Sequence, residues 1–281
     1  MARRSISSRG RTEAKASIAT GKKVLKQEVV EINGHCIEPK AARDALVRWG
    51  RKHFRPFPWR NTKDSYAVLM AELMLHRTQV AQVTPVYTRF MARFPDLESL
   101  AAAPKRRVAN LLRKLGLQWR IDLIPATARA LMADFNGTVP RDKVALCGLG
   151  GVSDYIASAV RCFAFDEPEP LIDTNTVRIV GRLFGLPMKD SSRRNPIFKQ
   201  AMSELLDRKR PRAYNYALLD HAHTVCRKRD PDCEVCPLLR WCVFGHGTMV
   251  ARGKAVQKNS FLKCRPTRRI FETADLKTEN E

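Results

Sequence analysis

The chain has 281 residues, 44% of them hydrophobic, and 51 Lys and Arg against 28 Asp and Glu give it a net charge of +23. That length allows one large core or two small ones, and no uninterrupted apolar run reaches the about 18 residues that a membrane-spanning helix needs. Residues 1–30 carry +6 and residues 243–281 carry +4, which leaves +13 on the middle, so a polyanion such as nucleic acid is the expected partner and a membrane is not.

Residues 1–37 read as a disordered basic arm. Their opening is rich in Arg, Lys and Ser and lacks the apolar centre of a secretory signal. It is read as a DNA-binding arm, although an organellar targeting peptide has the same composition; the protein is expected inside the cell. From Glu38 the pattern turns helical. "PKAARDALVRWGRKHF" has apolar residues at helical spacing, and the prolines of "FRPFPWRNTKD" break it. "SYAVLMAELMLHRTQVAQVTPVYTRFMARF" supplies two apolar-rich helices with Ser65 as N-cap. "PDLESLAAAPKRRVANLLRKLG" gives two short helices ending at Gly116, and "IDLIPATARALMADFNG" another, stopped by Asn136-Gly137. "DKVALCGLGGVSDYIASAVRCFAF" reads as two helices around a Gly-rich turn. "DTNTVRIVGRLFG", "NPIFKQAMSELLDRK" and "AYNYALLDHAHTVC" are further helices, and residues 243–281 read as a loosely ordered basic tail. Alternating strand patterns are scarce, so an all-α fold is expected.

Four of the eight cysteines fall within "CRKRDPDCEVCPLLRWC" as Cys226-x6-Cys233-x2-Cys236-x5-Cys242. Such a set implies a metal site or two disulfides, and nothing marks the chain as secreted. Zinc ribbons space two CxxC pairs about 15–20 residues apart, whereas here there is one CxxC. The x6, x2, x5 spacing resembles the cluster loop of the endonuclease III and mismatch adenine glycosylase family of DNA repair enzymes. The resemblance implies that Cys226, Cys233, Cys236 and Cys242 hold a [4Fe–4S] cluster, with zinc as the alternative. It also implies that the loop turns Arg227, Lys228, Arg229 and Arg240 toward DNA phosphate. Cys36, Cys147, Cys162 and Cys264 have no such spacing and read as small buried apolar residues.

The same family carries a helix–hairpin–helix with an L-P-G-V-G core, followed by a catalytic Asp. Leu149-Gly150-Gly151-Val152-Ser153 lies where that core would be, with Gly150 in place of the Pro and Ser153 in place of the second Gly. Such a hairpin turns backbone N–H groups toward a phosphate at a helix N-terminus, so Gly151 and Ser153 are candidate DNA contacts. Asp173 opens a helix and alone would be read as an N-cap; the resemblance makes it the carboxylate that faces the sugar as the base leaves. Glu72 shares a helix face with Val68, Leu69 and Leu75, so burial raises its pKa and suits it to donate a proton. "AELMLHRTQV" resembles the adenine glycosylase stretch in which the matching Glu protonates the departing base.

Tyr155 lies where endonuclease III-like enzymes hold the Lys that attacks C1′. Tyr cannot form a Schiff base, so a monofunctional glycosylase without a strong lyase step is expected. The thymine–guanine mismatch branch carries Tyr there, and "HRT" at 76–78, "LGLQWR" at 115–120 and "NGTVPRD" at 136–142 resemble that branch. Leu117 and Gln118 occupy the family's wedge loop, which fills the gap left by an extruded base. His76 and Arg77 lie where the family probes the orphaned partner base, and Pro58-Trp59-Arg60 matches its P-W-R segment, making Arg60 a candidate DNA contact.

The resemblance covers residues 38–242 and implies two helical lobes: a six-helix barrel over about 62–170, and a second lobe from 38–61 with 171–242 that carries the cluster. DNA would lie in the cleft between them. The expected function is base-excision repair by a monomer that removes thymine or uracil opposite guanine from double-stranded DNA. The alternative is removal of adenine opposite guanine or 8-oxoguanine. The adenine enzymes usually add a long C-terminal domain, for which the 39 residues after Cys242 are too few. A second alternative is a DNA-binding protein that kept the scaffold without catalysis; the presence of both Glu72 and Asp173 weighs against it.

Overall fold

The computed structural model describes residues 28–116, 118–254 and 266–269. Two short strands, β1 (Val30–Ile32) and β2 (His35–Ile37), pair antiparallel in the register Val30↔Ile37 and Ile32↔His35. Asn33 and Gly34 between them both have positive φ, 52° and 73°, the conformation that a two-residue hairpin with right-handed strand twist requires. β3 (Arg268–Arg269) adds parallel to β1 and completes a sheet of order β2-β1-β3.

The rest is helical: α1 (Pro39–Lys52), α2 (Ser65–Leu75), α3 (Val80–Arg93), α4 (Leu97–Ala101), α5 (Lys105–Leu112), α6 (Trp119–Asp134), α7 (Lys143–Gly148), α8 (Asp154–Phe165), α9 (Thr174–Phe184), α10 (Pro196–Leu205), α11 (Pro211–Thr224) and α12 (Val243–Ala251). A 3-10 turn, Pro58–Arg60, leads into α2.

The structure departs from several of these expectations. The fold is mostly helical but carries a small sheet. The expected arm ends in ordered strands, because Val30, Ile32 and Ile37 bury apolar side chains at 0%, 0% and 1% exposure; the arm's residues 1–27 lie outside the described residues. The expected tail begins with α12, whose Gly245 N–H meets the Cys242 sulfur. Cys162 is buried, but Cys147 is exposed and Cys36 is disulfide-bonded; Cys264 lies outside the described residues. No described helix is long and apolar enough to cross a membrane.

Two hydrophobic cores organise the chain. One gathers residues from Trp59 to Leu171, chiefly on α2–α8. The other gathers Val30–Val47 and Val177–Trp241. At the first core's centre α2 is buried from Tyr66 to Met74, as expected of a helix apolar on all sides; Glu72 is its one acidic residue. In the second, α1 crosses α11 so closely that a Cβ on Gly50 would stand 2.4 Å from that of Ala217. Helix α11 also serves the first core, through Tyr216.

Candidate active site and cysteine loop

Glu72 is 7% exposed, and among the described residues nothing hydrogen-bonds its carboxyl. Burial, reinforced by the Asp173 carboxylate, pushes its pKa up to about 7 against the opposing pull of Arg60. The carboxyl therefore holds a proton near neutrality that an ordinary glutamate would have lost.

Asp173 caps α9 in a single orientation. Its Oδ1 accepts from the N–H of Asn175 (2.9 Å) and Thr176 (2.8 Å), its Oδ2 accepts from Asn175 Nδ2 (2.8 Å), and the Thr176 hydroxyl oxygen accepts from Asp173 N–H (2.9 Å). Capping thus fixes the carboxylate whose charge acts on Glu72. Tyr155, in the first turn of α8, is half-buried; desolvation and both carboxylates, Glu72 ahead of Asp173, push its phenol well above the usual range, so it stays a neutral hydroxyl. The structure brings Glu72, Asp173 and Tyr155 together from three elements.

Arg60 was expected to touch DNA. Instead it is 8% exposed, with Nη1 paired to Asp220 Oδ2 at 2.7 Å and its guanidinium 4.5 Å above the Tyr216 ring. Tyr216 stacks on Phe163 at 4.1 Å between centroids, and among the described residues its buried hydroxyl has no hydrogen-bond partner. Asp220 and Tyr216 are the functional-site residues that sequence reasoning missed. The available signal was a carboxylate one helical turn past an aromatic residue in the apolar stretch "YALLDHA", a buried charge that needs a cation.

The hairpin between α7 and α8 is anchored by buried Leu149 and Val152 and closed by Val152 N–H to Leu149 O at 3.1 Å. Thr127 of α6 donates to Gly150 O at 3.2 Å. Gly151 has φ +77°, and a Cβ there would lie 2.0 Å from Leu123 Cδ2, so only glycine fits. Ser153 caps α8 by accepting from Ile156 N–H at 3.3 Å. Gly151 and Ser153 are exposed, and within the described residues their own N–H groups bond to nothing. Free backbone N–H groups at a helix N-terminus are of the kind that can accept an anion.

Gln118 and Arg77 are exposed, the latter with φ +59°; Leu117 lies outside the described residues. His76 is half-buried, its ring edge-on to Trp119 at 5.7 Å, and among the described residues its Nδ1 has no hydrogen-bond partner. Fully buried Arg120 donates to Thr78 Oγ1 at 2.8 Å, tying the start of α6 to the turn after α2. So His76, Arg77 and Gln118 stand on adjoining loops.

Cys226, Cys233, Cys236 and Cys242 are free and line one small pocket with Arg182 and Phe244. Arg182 Nη1 reaches the Cys226 sulfur at 3.4 Å, Gly245 N–H the Cys242 sulfur at 3.3 Å, and His221 Nε2 the Cys236 sulfur at 3.2 Å. Burial pulls His221 to a pKa of about 4, so it is neutral. A zinc ion draws four sulfurs to about 2.3 Å from one point; among the described residues no group of three or more His, Cys, Asp or Glu is arranged to hold a single ion. Four thiols lining one pocket and met by polar N–H and imidazole groups are a donor set suited to a thiolate-bound metal centre. Arg178 links this loop to the site: it donates to Cys226 O and Ala222 O, both at 2.9 Å, and to Asn175 Oδ1 at 3.1 Å, and Asn175 in turn holds Asp173. Arg227, Lys228 and Arg229 are exposed beside it, while Arg240 approaches Glu38 at 3.6 Å.

A mostly helical chain with a glycine hairpin, a capped aspartate and a buried glutamate defines the helix–hairpin–helix class of DNA repair proteins. The family model described as "HhH-GPD superfamily base excision DNA repair protein" matches residues 70–204, and the chain belongs to that superfamily. It is 36% identical over 211 residues to the thymine/uracil-DNA glycosylase of Pyrobaculum aerophilum, covering 72% of this chain and 90% of that one. The solved structure of a thermostable thymine-DNA glycosylase superposes with a TM-score of 0.69 at 28% identity, covering 74% of this chain and 97% of that one. The adenine DNA glycosylase of Mycolicibacterium smegmatis is 33% identical over 213 residues, covering 74% of this chain and 72% of that one.

Proposed function

We propose that the protein is a monofunctional DNA glycosylase that extrudes thymine or uracil opposite guanine from double-stranded DNA and hydrolyses its N-glycosidic bond, acting as a monomer. The observation that carries this reading is the meeting of Glu72, Asp173 and Tyr155 in one site. Tyr155 stands where a Schiff-base enzyme of this family carries its lysine, and it contributes a phenol rather than an amine. Without an amine there is no Schiff base, so no strand scission follows from it.

The chemistry divides between the carboxyl groups. Asp173, held by three N–H donors, faces the positive charge that grows on the sugar as the C1′–N bond breaks and the base takes the bonding electrons. Glu72 gives its proton to the departing base. Water then adds at C1′ and loses a proton, leaving an abasic sugar. Tyr155 supplies a neutral hydroxyl that lines the base pocket. Gly151 and Ser153 grip a phosphate, Gln118 with Leu117 fills the vacated stack, and His76 and Arg77 probe the guanine left behind. The four cysteines hold a [4Fe–4S] cluster, which when bound fixes the loop that carries Arg227, Lys228 and Arg229.

Duplexes bearing T:G, U:G, A:G and A:8-oxoG, incubated with the protein and treated with alkali, test the reading. Cleavage at T:G and U:G is expected; cleavage on the adenine strand would replace the substrate class, and scission before alkali would sink the monofunctional assignment. Asp173→Asn is expected to lower single-turnover excision by at least about a hundredfold while DNA binding persists.

A further inference from the structure

A carboxyl that donates a proton sits beside a guanidinium, and the two would ordinarily pair. Among the described residues Arg60 makes its ion pair with Asp220, Nη1 to Oδ2 at 2.7 Å, and none with Glu72. The two side chains are 6% and 1% exposed, so this is a desolvated contact. The partners come from different elements: Arg60 from the 3-10 turn, Asp220 from α11 and Glu72 from α2. Asp220 is itself fixed, since Oδ2 also accepts the Arg55 N–H at 3.3 Å and the Arg55 guanidinium stands 3.9 Å from Oδ1. Arg60 is held on its other sides by the Tyr216 ring at 4.5 Å, the Phe57 ring at 5.1 Å and a bond from Nη1 to Arg55 O at 3.2 Å.

We propose that Asp220 is a positioning residue that anchors the Arg60 guanidinium away from Glu72, leaving the Glu72 carboxyl without an ion pair and able to carry the proton it gives to the base. The inference rests on the assignment of Glu72 as the acid. The charged and titratable groups that face Glu72 are Arg60, Asp173 at the head of α9, Tyr155 of α8 and Tyr216 of α11. Arg60 is the cation among them. A direct cation contact lowers a carboxyl pKa by about 1–3, enough to leave Glu72 ionised at neutral pH. With Asp220 in place the guanidinium has a better-placed carboxylate. Without it, Glu72 is the nearby carboxylate to which Arg60 turns.

Single-turnover excision of uracil opposite guanine, followed from mildly acidic to mildly alkaline pH, tests this. The parent is expected to lose activity as pH rises through about 7, where Glu72 ionises. Asp220→Asn should move that loss to lower pH by one unit or more. On the alkaline side it is then roughly tenfold slower than the parent, and at acid pH it approaches the parent. Asp220→Asn combined with Arg60→Gln removes both charges and should move the loss in the opposite direction, past the parent. A rate reduced by one factor at every pH in Asp220→Asn, or a double variant that keeps the acid-shifted profile, overturns the proposal. Glu72→Gln separates the two levels: if it excises as fast as the parent, the acid assignment itself falls. If it is inactive while the Asp220→Asn midpoint is unmoved, the positioning role alone is lost.

Discussion

Glu72 occupies a helix with apolar neighbours on every side, and the cost of that placement has a sign. Its pKa is about 7 folded and 4.5 as an ordinary side chain, so the folded state binds the proton more tightly. The associated stability is complete below the unfolded value and is lost as pH rises through about 7. Above that pH the ionised carboxylate is a burden of about 3 kcal/mol at most. Glu72→Gln, neutral and similar in shape, should therefore melt higher than the parent at alkaline pH and alike at acid pH, while excising nothing. Thermal denaturation at the two pH values measures this, and equal melting temperatures at both would show that Glu72 is not strained. At this scale the sequence was legible where a residue type has few uses. Glu in an apolar helix and Asp at a helix start were found. The ion pair of Arg60 was not legible, because "PWR" says nothing of a partner 160 positions away.

The hairpin and α9 carry the element-scale lessons. "LGGVS" was readable as a tight interhelical turn, but the need for glycine at 151 comes from Leu123, on a helix distant in sequence. Gly151→Ala forces positive φ on a residue with a Cβ and drives that Cβ into Leu123. A loss of about 1–3 kcal/mol in stability is expected. DNA affinity should fall alike for matched and mismatched duplexes, because the contact is to phosphate; fluorescence anisotropy with both duplexes decides it, and a mismatch-selective loss would speak for base readout. The strands were legible too and were missed: "VEINGHCI" places Asn-Gly between alternating apolar residues, the strongest short hairpin signal. The basic composition of the first 37 residues concealed it. Along α9, Asn175 and Arg178 form a bridge that no spacing rule announces, since its far end is a pair of backbone carbonyls.

For the whole molecule, the proposed function gives the excess charge and the cysteine loop a part in binding rather than in bond breaking. With +13 on residues 31–242, DNA affinity should fall steeply and linearly with the logarithm of salt concentration. Purified protein should contain about four irons with matching acid-labile sulfide per chain, and Cys236→Ser should lose them. Its DNA affinity is expected to fall by about tenfold or more, with single-turnover excision at saturating protein less affected. Zinc in place of iron would reassign the cofactor. The separation into two cores was not deducible from helical periodicity, which marks buried faces but not the faces that meet.

Helix α11 is where those cores meet: Tyr216 and Leu219 pack against the first, Tyr214, Ala217, Leu218 and Ala222 into the second, and its last turn opens onto Cys226. Neither half can melt without stripping a wall from the other, so heat should unfold the described body in one cooperative step, with calorimetric and van't Hoff enthalpies equal. Amide protons along the middle of α11 should then exchange only through global unfolding, and slower than those of α12 at the protein's edge.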